Sequence, residues 1–272
     1  MVIPGFDGML SYRIRTPFQF QFQGSAMKTK DSSIINKRSQ ASVLLLALCV
    51  SASSAAWAGR PLGTDDAGTT PQGSCQLEAW HEASDASSHT LVLAPACGLT
   101  ETVELGADYS LPHPQTDVRA AAGLALKWVP ARWQMDTGAG ALNFGLKFSM
   151  GRAQPAAAEW QATESAVLIL ASLTLNDAWS LHANLGPAHD HGSETRANRF
   201  NLALSWVPHT RWQLFAETQT NDRREIFGET VNAAGVRWWW IQDRLGLDLT
   251  RSQAAGAEIG WSAGFGWYGI GL

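Results

Sequence analysis

The stretch "TVELGADYSL", Thr102 to Leu111, places Val103, Leu105, Ala107, Tyr109 and Leu111 on one side and Glu104, Asp108 and Ser110 on the other. Side chains alternate between faces in an extended strand, so this spacing writes a strand with one apolar and one polar face. The same period of two recurs. "ALNFGLKFS" sets Leu142, Phe144, Leu146 and Phe148 against Asn143, Lys147 and Ser149. "RFNLALSW" sets Phe200, Leu202, Leu204 and Trp206 against Arg199, Asn201 and Ser205, and "RLGLDLT" repeats the pattern with Leu245, Leu247 and Leu249. A helical period is hard to find anywhere in the chain. The fold class is therefore all-β.

A β-sandwich hides such apolar faces between two sheets, whereas a transmembrane barrel turns them outward to lipid. Two further patterns favour the barrel. Short connections fall near Gly98–Glu101, Val129–Arg132, Asn176–Ala178, Val207–Arg211 and Gln242–Asp243. Longer polar ones fall between them, at Pro112–Asp117, Gly151–Thr163, Pro187–Arg196 and Asn221–Glu229. Short turns at one end and long loops at the other are how outer-membrane barrels are built. Tryptophans also gather beside the short turns: Trp128, Trp133, Trp179, Trp206, Trp212 and Trp238 to Trp240. Tryptophan prefers the headgroup level of a bilayer, so these residues predict an interfacial girdle. The repeated phrases "KWVPARWQ" from Lys127 and "SWVPHTRWQ" from Ser205 read as two such turns, proline ending each strand where no ladder N–H is needed. The expectation is a transmembrane antiparallel β-barrel of about twelve strands over residues 75–272, an even number with both ends in the periplasm.

Residues 27–58 carry Lys28, Lys30, Lys37 and Arg38, then "ASVLLLALCVSASSAA", then "AWA" at Ala56 to Ala58. A basic region, a short apolar run and small residues before the cut predict a signal peptide cleaved after Ala58. Met27 is then the expected start, residues 1–26 a non-native extension, and residues 59–74 a periplasmic segment ahead of the barrel. The whole chain has 20 basic and 24 acidic residues; without residues 1–58 it keeps 14 and 22, a net charge of −8. Such a chain is a poor partner for nucleic acid. Cys49 leaves with the signal peptide, and Cys75 and Cys97 form the natural disulfide of an exported protein. A hairpin whose tip lies near Ala86 sets the two cysteines directly opposite each other at its base.

The segment "RPLGTDDAGTTPQGSCQLE", Arg60 to Glu78, followed by "LAPACGLTETVELGADYS", resembles the start of the MetA-pathway of phenol degradation family of bacterial outer-membrane proteins, commonly named transporters. The resemblance thins out over the later strands. It implies an outer-membrane β-barrel of a Gram-negative bacterium that moves small solutes, aromatic or hydrophobic ones among them. No catalytic residue or cofactor is carried over with it. The last strand, "GFGWYGIGL" with Tyr268, Ile270 and Leu272 alternating, resembles the C-terminal signal read by the barrel-assembly machinery, although Leu272 replaces the usual aromatic, and outer-membrane lipid is the other expected partner.

The residues with chemical potential fall into four groups. Inward positions Glu104, Asp108, Arg119, Lys127, Lys147, Arg199, Glu217, Arg237 and Asp248 predict a charged lumen, whether sealed by ion pairs or selecting solutes. Asp65 and Asp66, ahead of Gly68, read as a turn cap more readily than as a cation site, in a segment placed to plug or gate the periplasmic mouth. His189-Asp190-His191 offers two metal ligands on one strand face but needs a third from another loop, such as His113, so a solvated loop is the plainer reading. Ser180 and His182 make a poor hydrolase pair, two positions apart and without an orienting third group. Three functions follow in order: a channel for small solutes, a non-conducting barrel acting through its loops, and a membrane-edge lipid hydrolase. No enzyme activity, metal or cofactor is expected.

Overall fold

A computed structural model describes residues 62–83, 88–115, 117–176 and 178–271. The expected extension, the signal peptide, the tip of the first hairpin and the terminal Leu272 lie outside the described residues. The strands are β1 Ser74–Ala83, β2 His89–Thr100, β3 Val103–His113, β4 Val118–Trp128, β5 Gln134–Asp136, β6 Ala141–Pro155, β7 Gln161–Thr174, β8 Trp179–Asp190, β9 Thr195–His209, β10 Trp212–Asn221, β11 Val231–Ile241, β12 Leu245–Ala254 and β13 Ile259–Gly271. All pairings between these strands are antiparallel; ahead of β1, Gln72 forms an isolated parallel bridge to Gly98. β1 pairs with β13, from Ser74 opposite Gly271 to Ala83 opposite Trp261, and β4 pairs with β6, so the sheet closes on itself. β5 is a short continuation of β4: β4 lies along residues 146–155 of β6, and β5 lies along residues 141–143. Counted around the circumference, the described residues form a closed barrel of twelve strands.

Period two decides which side of the wall each residue takes. Leu124, Ile169, Leu185, Leu249 and Trp267 face outward and are about half exposed, between 49% and 54%. No second layer among the described residues covers them. The inward positions are instead polar or small, and many are buried: Glu104, Lys127, Asn184, Asn201, Glu217, Arg237 and Asp248 among them. No helix among the described residues is long and apolar enough to cross a membrane. Cys75 stands opposite Cys97 and is bonded to it, in the register expected for the first hairpin.

Boundaries differ from the sequence reading: β3 runs through Pro112 to His113 and β9 through Pro208 to His209, and three larger differences follow proline or small residues. Val129–Arg132 is not the hairpin turn. Pro130 interrupts the ladder, Trp133 N–H donates to the Pro130 carbonyl, and a 3-10 turn, Ala131–Trp133, carries the chain into β5. The reversal comes at Thr137–Gly140, where Gly138 takes a φ of 72°, a conformation that glycine meets without steric cost. Pro187 does not open a loop either. It sits within β8, paired with Asn198 of β9, and the ladder to β7 skips its position between Ala188 and Leu185. Residues 151–155 also remain in β6; Arg152 and Ala153 still pair with β7, although glycine and alanine there write no apolar face. The loops at the two ends are therefore less unequal than the sequence suggests.

The tryptophans gather at the end where β1 begins and β13 finishes. Trp179 stacks on Trp206 with ring centres 5.4 Å apart, Trp128 lies 5.2 Å from Trp133, and Trp212 lies 6.4 Å from Trp238. Trp239 leaves this group. Its parity turns it inward, where it is 7% exposed, while its neighbours Trp238 and Trp240 face outward. Tyr268 is likewise inside and fully buried, so the outward face of the last strand is formed by Trp261, Phe265 and Trp267.

Candidate functional site in the lumen

Residues 62–73 enter the barrel and cross its lumen. Leu62 packs on Ala203 and Phe215, and Ala67 packs on Leu168 and Leu170. The segment has no ladder of its own, so its backbone N–H groups must find acceptors on the wall. Glu217 accepts from Gly63 N–H, Thr64 N–H and the Thr64 hydroxyl at 2.9–3.0 Å. Asn184 accepts from Asp65 N–H and donates its side-chain amide to the Asp65 carbonyl, both at 2.8 Å. Ser172 accepts from Ala67 N–H at 2.7 Å, and Glu104 accepts from Thr70 N–H and its hydroxyl at 2.7 and 2.8 Å. At its root the segment lies so close to β2 that a Cβ on Gly98 would overlap the Thr70 and Pro71 carbonyls.

Ion pairs reinforce these contacts. The Lys127 ammonium lies 3.2 Å from Asp66, 3.5 Å from Glu104 and 3.9 Å from Asp65. Lys147 donates to Asp65 at 2.7 Å. Burial alone would raise the Asp65 carboxyl, but Lys147 and then Lys127 outweigh it and hold Asp65 below the usual carboxylate value. The Asp65–Asp66 pair is thus taken up by ion pairs. It binds the segment to two lysines of the wall.

The wall formed by β11, β12, β13 and β1 is filled differently. Arg237 meets Asp248 through two hydrogen bonds of 2.6 and 2.8 Å, and Arg237 is completely buried. Its guanidinium lies 5.1 Å from the Trp239 ring centre and 5.2 Å from that of Tyr268. The Tyr268 hydroxyl in turn donates to Glu78 at 2.6 Å. Between this cluster and the segment remains a cavity of about 590 Å³, lined by Leu62 to Asp65, Glu78, Trp80, Glu82, Val92 and Asp108 among others.

The nine expected lumen charges therefore divide. Glu104, Lys127, Lys147 and Glu217 hold the segment; Arg237 and Asp248 hold each other. Asp108 borders the cavity, and Arg199 pairs with Glu164. Arg119 is exposed on β4, one position from its far end. Sequence reasoning missed Glu78, Tyr268, Trp239, Ser172 and Asn184. The first three lie on inward positions that parity identifies; nothing local marks Ser172 or Asn184 as supports. Ser180 and His182 do not meet. His182 is buried in the lumen, and its Nδ1 lies 2.8 Å from the hydroxyl of Ser172, which already accepts from Ala67.

Comparison with known proteins agrees with this architecture. The chain belongs to the family described as Uncharacterised conserved protein UCP029691, whose model matches residues 43–264. That is the family found, in place of the MetA-pathway family that the N-terminal residues resemble. No curated protein matches the sequence significantly. Among solved structures, KdgM porin aligns with a TM-score of 0.54 at 8% identity, covering 71% of this chain and 98% of that one. KdgM porin in complex with disordered oligogalacturonate aligns at 0.53 and 7% identity, with the same coverage. At such identities the likeness is one of fold.

Proposed function

We propose that this chain is an outer-membrane channel for small solutes whose lumen is kept narrow by its own N-terminal segment. The observation that carries the reading is the reversal of faces. Apolar side chains cover the outside of a closed barrel, and charged and hydrogen-bonding ones line a cavity inside it. A continuous apolar outer wall needs an apolar surrounding, and a closed sheet leaves no backbone edge to satisfy within lipid. The fold shared with KdgM porin supports the same reading. Export through residues 27–58, insertion by the barrel-assembly machinery and an outer-membrane location in a Gram-negative cell belong to this proposal. For the solute, Trp80, Val92 and Leu62 offer an apolar side of the cavity next to carboxylates. That suits the small aromatic or hydrophobic compounds implied by the resemblance at Arg60–Glu78.

A second reading, a non-conducting barrel acting through its loops, is favoured by the segment itself, which occupies much of the lumen. Single-channel recording of the purified protein in a planar bilayer separates the two, with folding first checked by a heat-dependent gel shift. The channel reading expects small steps from the whole chain and larger steps once residues 62–72 are deleted. A deletion variant that is folded yet silent overturns it.

A further inference from the structure

The β8–β9 hairpin turns at the end of the barrel away from the tryptophans. His189, His191 and Glu194 at its tip each place a ligand atom within 4.8 Å of the other two. We propose that this tip binds one divalent transition-metal cation of the zinc, copper or nickel class. β8 stays extended to Asp190, so His189 and His191 fall on one side of the strand, with ring centres 4.6 Å apart. The turn then supplies the third group. Glu194 takes a left-handed φ of 53°, and its carboxylate comes to 3.4 Å from His189 Nε2. Two ligands about 2.0–2.1 Å from a tetrahedral ion stand about 3.3 Å apart, so this pair already has the spacing that one ion requires.

The surroundings fix the donors. Asp190 accepts from both Ser193 N–H and the Ser193 hydroxyl at 2.7 Å, which closes the turn and leaves Glu194 to face the histidines. His191 Nε2 lies 3.2 Å from the Ser165 hydroxyl on β7, so its Nδ1 is the nitrogen available to an ion. A hydrogen bond on the far nitrogen of a ligating imidazole orients the ring, as is usual around metals. Nδ1 of His189 is buried without a hydrogen-bond partner among the described residues, so no competing bond holds that ring. Two imidazoles and a carboxylate select borderline metals over magnesium or calcium, which prefer oxygen alone. His113, the third ligand the sequence suggested, belongs elsewhere. It lies beside His89, which lies beside His81, with ring centres 4.7 and 5.0 Å apart and the planes tilted by 31° in both pairs. Among the described residues these three do not form a group of converging ligand atoms, and they provide an internal control.

The test is calorimetric titration of zinc chloride into the tag-free, detergent-extracted protein, with Co²⁺ absorption as a second readout of tetrahedral coordination. One ion per chain is expected, insensitive to excess Mg²⁺. Replacing both histidines (His189→Ala with His191→Ala) should abolish binding. Glu194→Gln and Ser165→Ala should each weaken it at least about tenfold, and His89→Ala should leave it unchanged. All variants should keep the heat-dependent gel shift, because His189 opposite Arg196 and Asp190 opposite Thr195 are the last pairs of the β8–β9 ladder, at the rim of the barrel. The proposal is overturned by the absence of saturable binding, by binding that survives the double histidine variant, or by binding that needs His89.

Discussion

Two sides of the same lumen carry buried ion pairs built on opposite plans. Around β3 to β10, wall side chains reach inward to a segment that continues into the barrel wall at Ser74; Lys127, Lys147, Glu217 and Asn184 all bind residues 62–67. Around β11 to β1, the contacts run from wall to wall. Arg237 and Asp248 stand directly opposite each other on neighbouring strands, and Tyr268 of β13 reaches Glu78 of β1. Removing the first set frees a part while the ladders stay whole. Removing the second leaves a charge stranded inside the wall itself. The docking of the segment and the stability of the barrel are thus assigned to different residues.

The largest effect is expected at Arg237. Arg237→Ala leaves the Asp248 carboxylate buried without its bidentate partner, a loss of about 3–5 kcal/mol, read as a lower urea midpoint for the folded barrel. An unchanged midpoint would break the comparison from this side. Lys127→Ala comes next. It leaves Asp66 and Glu104 without their shared cation, and the cost of about 3 kcal/mol falls on docking of the segment. Conductance should rise while the unfolding midpoint stays near that of the parent; a midpoint loss like that of Arg237→Ala would erase the distinction. Glu217→Gln should weaken docking by about 1.5–3 kcal/mol, since its hydrogen bonds from Gly63 and Thr64 lose their charge assistance. Its conductance should lie between the parent and Lys127→Ala.

The smallest effect is that of pH. Asp65 is held below its ordinary value of 3.8, chiefly because Lys147 and Lys127 outweigh the effect of burial. A depressed carboxyl contributes stability that is fully present above the unfolded value and is lost as pH falls through the folded one. Docking should therefore be insensitive to pH from neutrality down to about 4 and weaken below it. Asp65→Asn should flatten that acid response in conductance recordings. An acid response that persists in Asp65→Asn would assign it to another group.

Much of the barrel was legible because its information is local. Each strand writes its own faces, and Cys75 with Cys97 fixes the first register by simple opposition. The docked segment was legible only as a distinctive motif. "PLGTDDAGTT" has no period, and its partners lie 154, 119 and 105 residues away at Glu217, Asn184 and Ser172. Sequence shows that such residues point inward but not what they meet. Proline misled in a different way. Pro187 and Pro130 look alike as strand breakers, yet one is absorbed by a gap in the ladder to one neighbour and the other diverts the chain into a 3-10 turn. Trp239 was misplaced for want of a parity count, which assigns adjacent tryptophans to opposite sides of the wall.

The bond between Cys75 and Cys97 ties the root of the segment to β2, ten residues along the chain from Asp65, which Lys147 holds. A ligand on so short a leash is present at its own site at roughly millimolar effective concentration. Release of the segment is then never departure, since recapture follows each undocking. A detached peptide of the same sequence would have to approach that concentration merely to match it. Openings of such a lumen should accordingly be brief and frequent, timed by rebinding and not by the arrival of anything from solution.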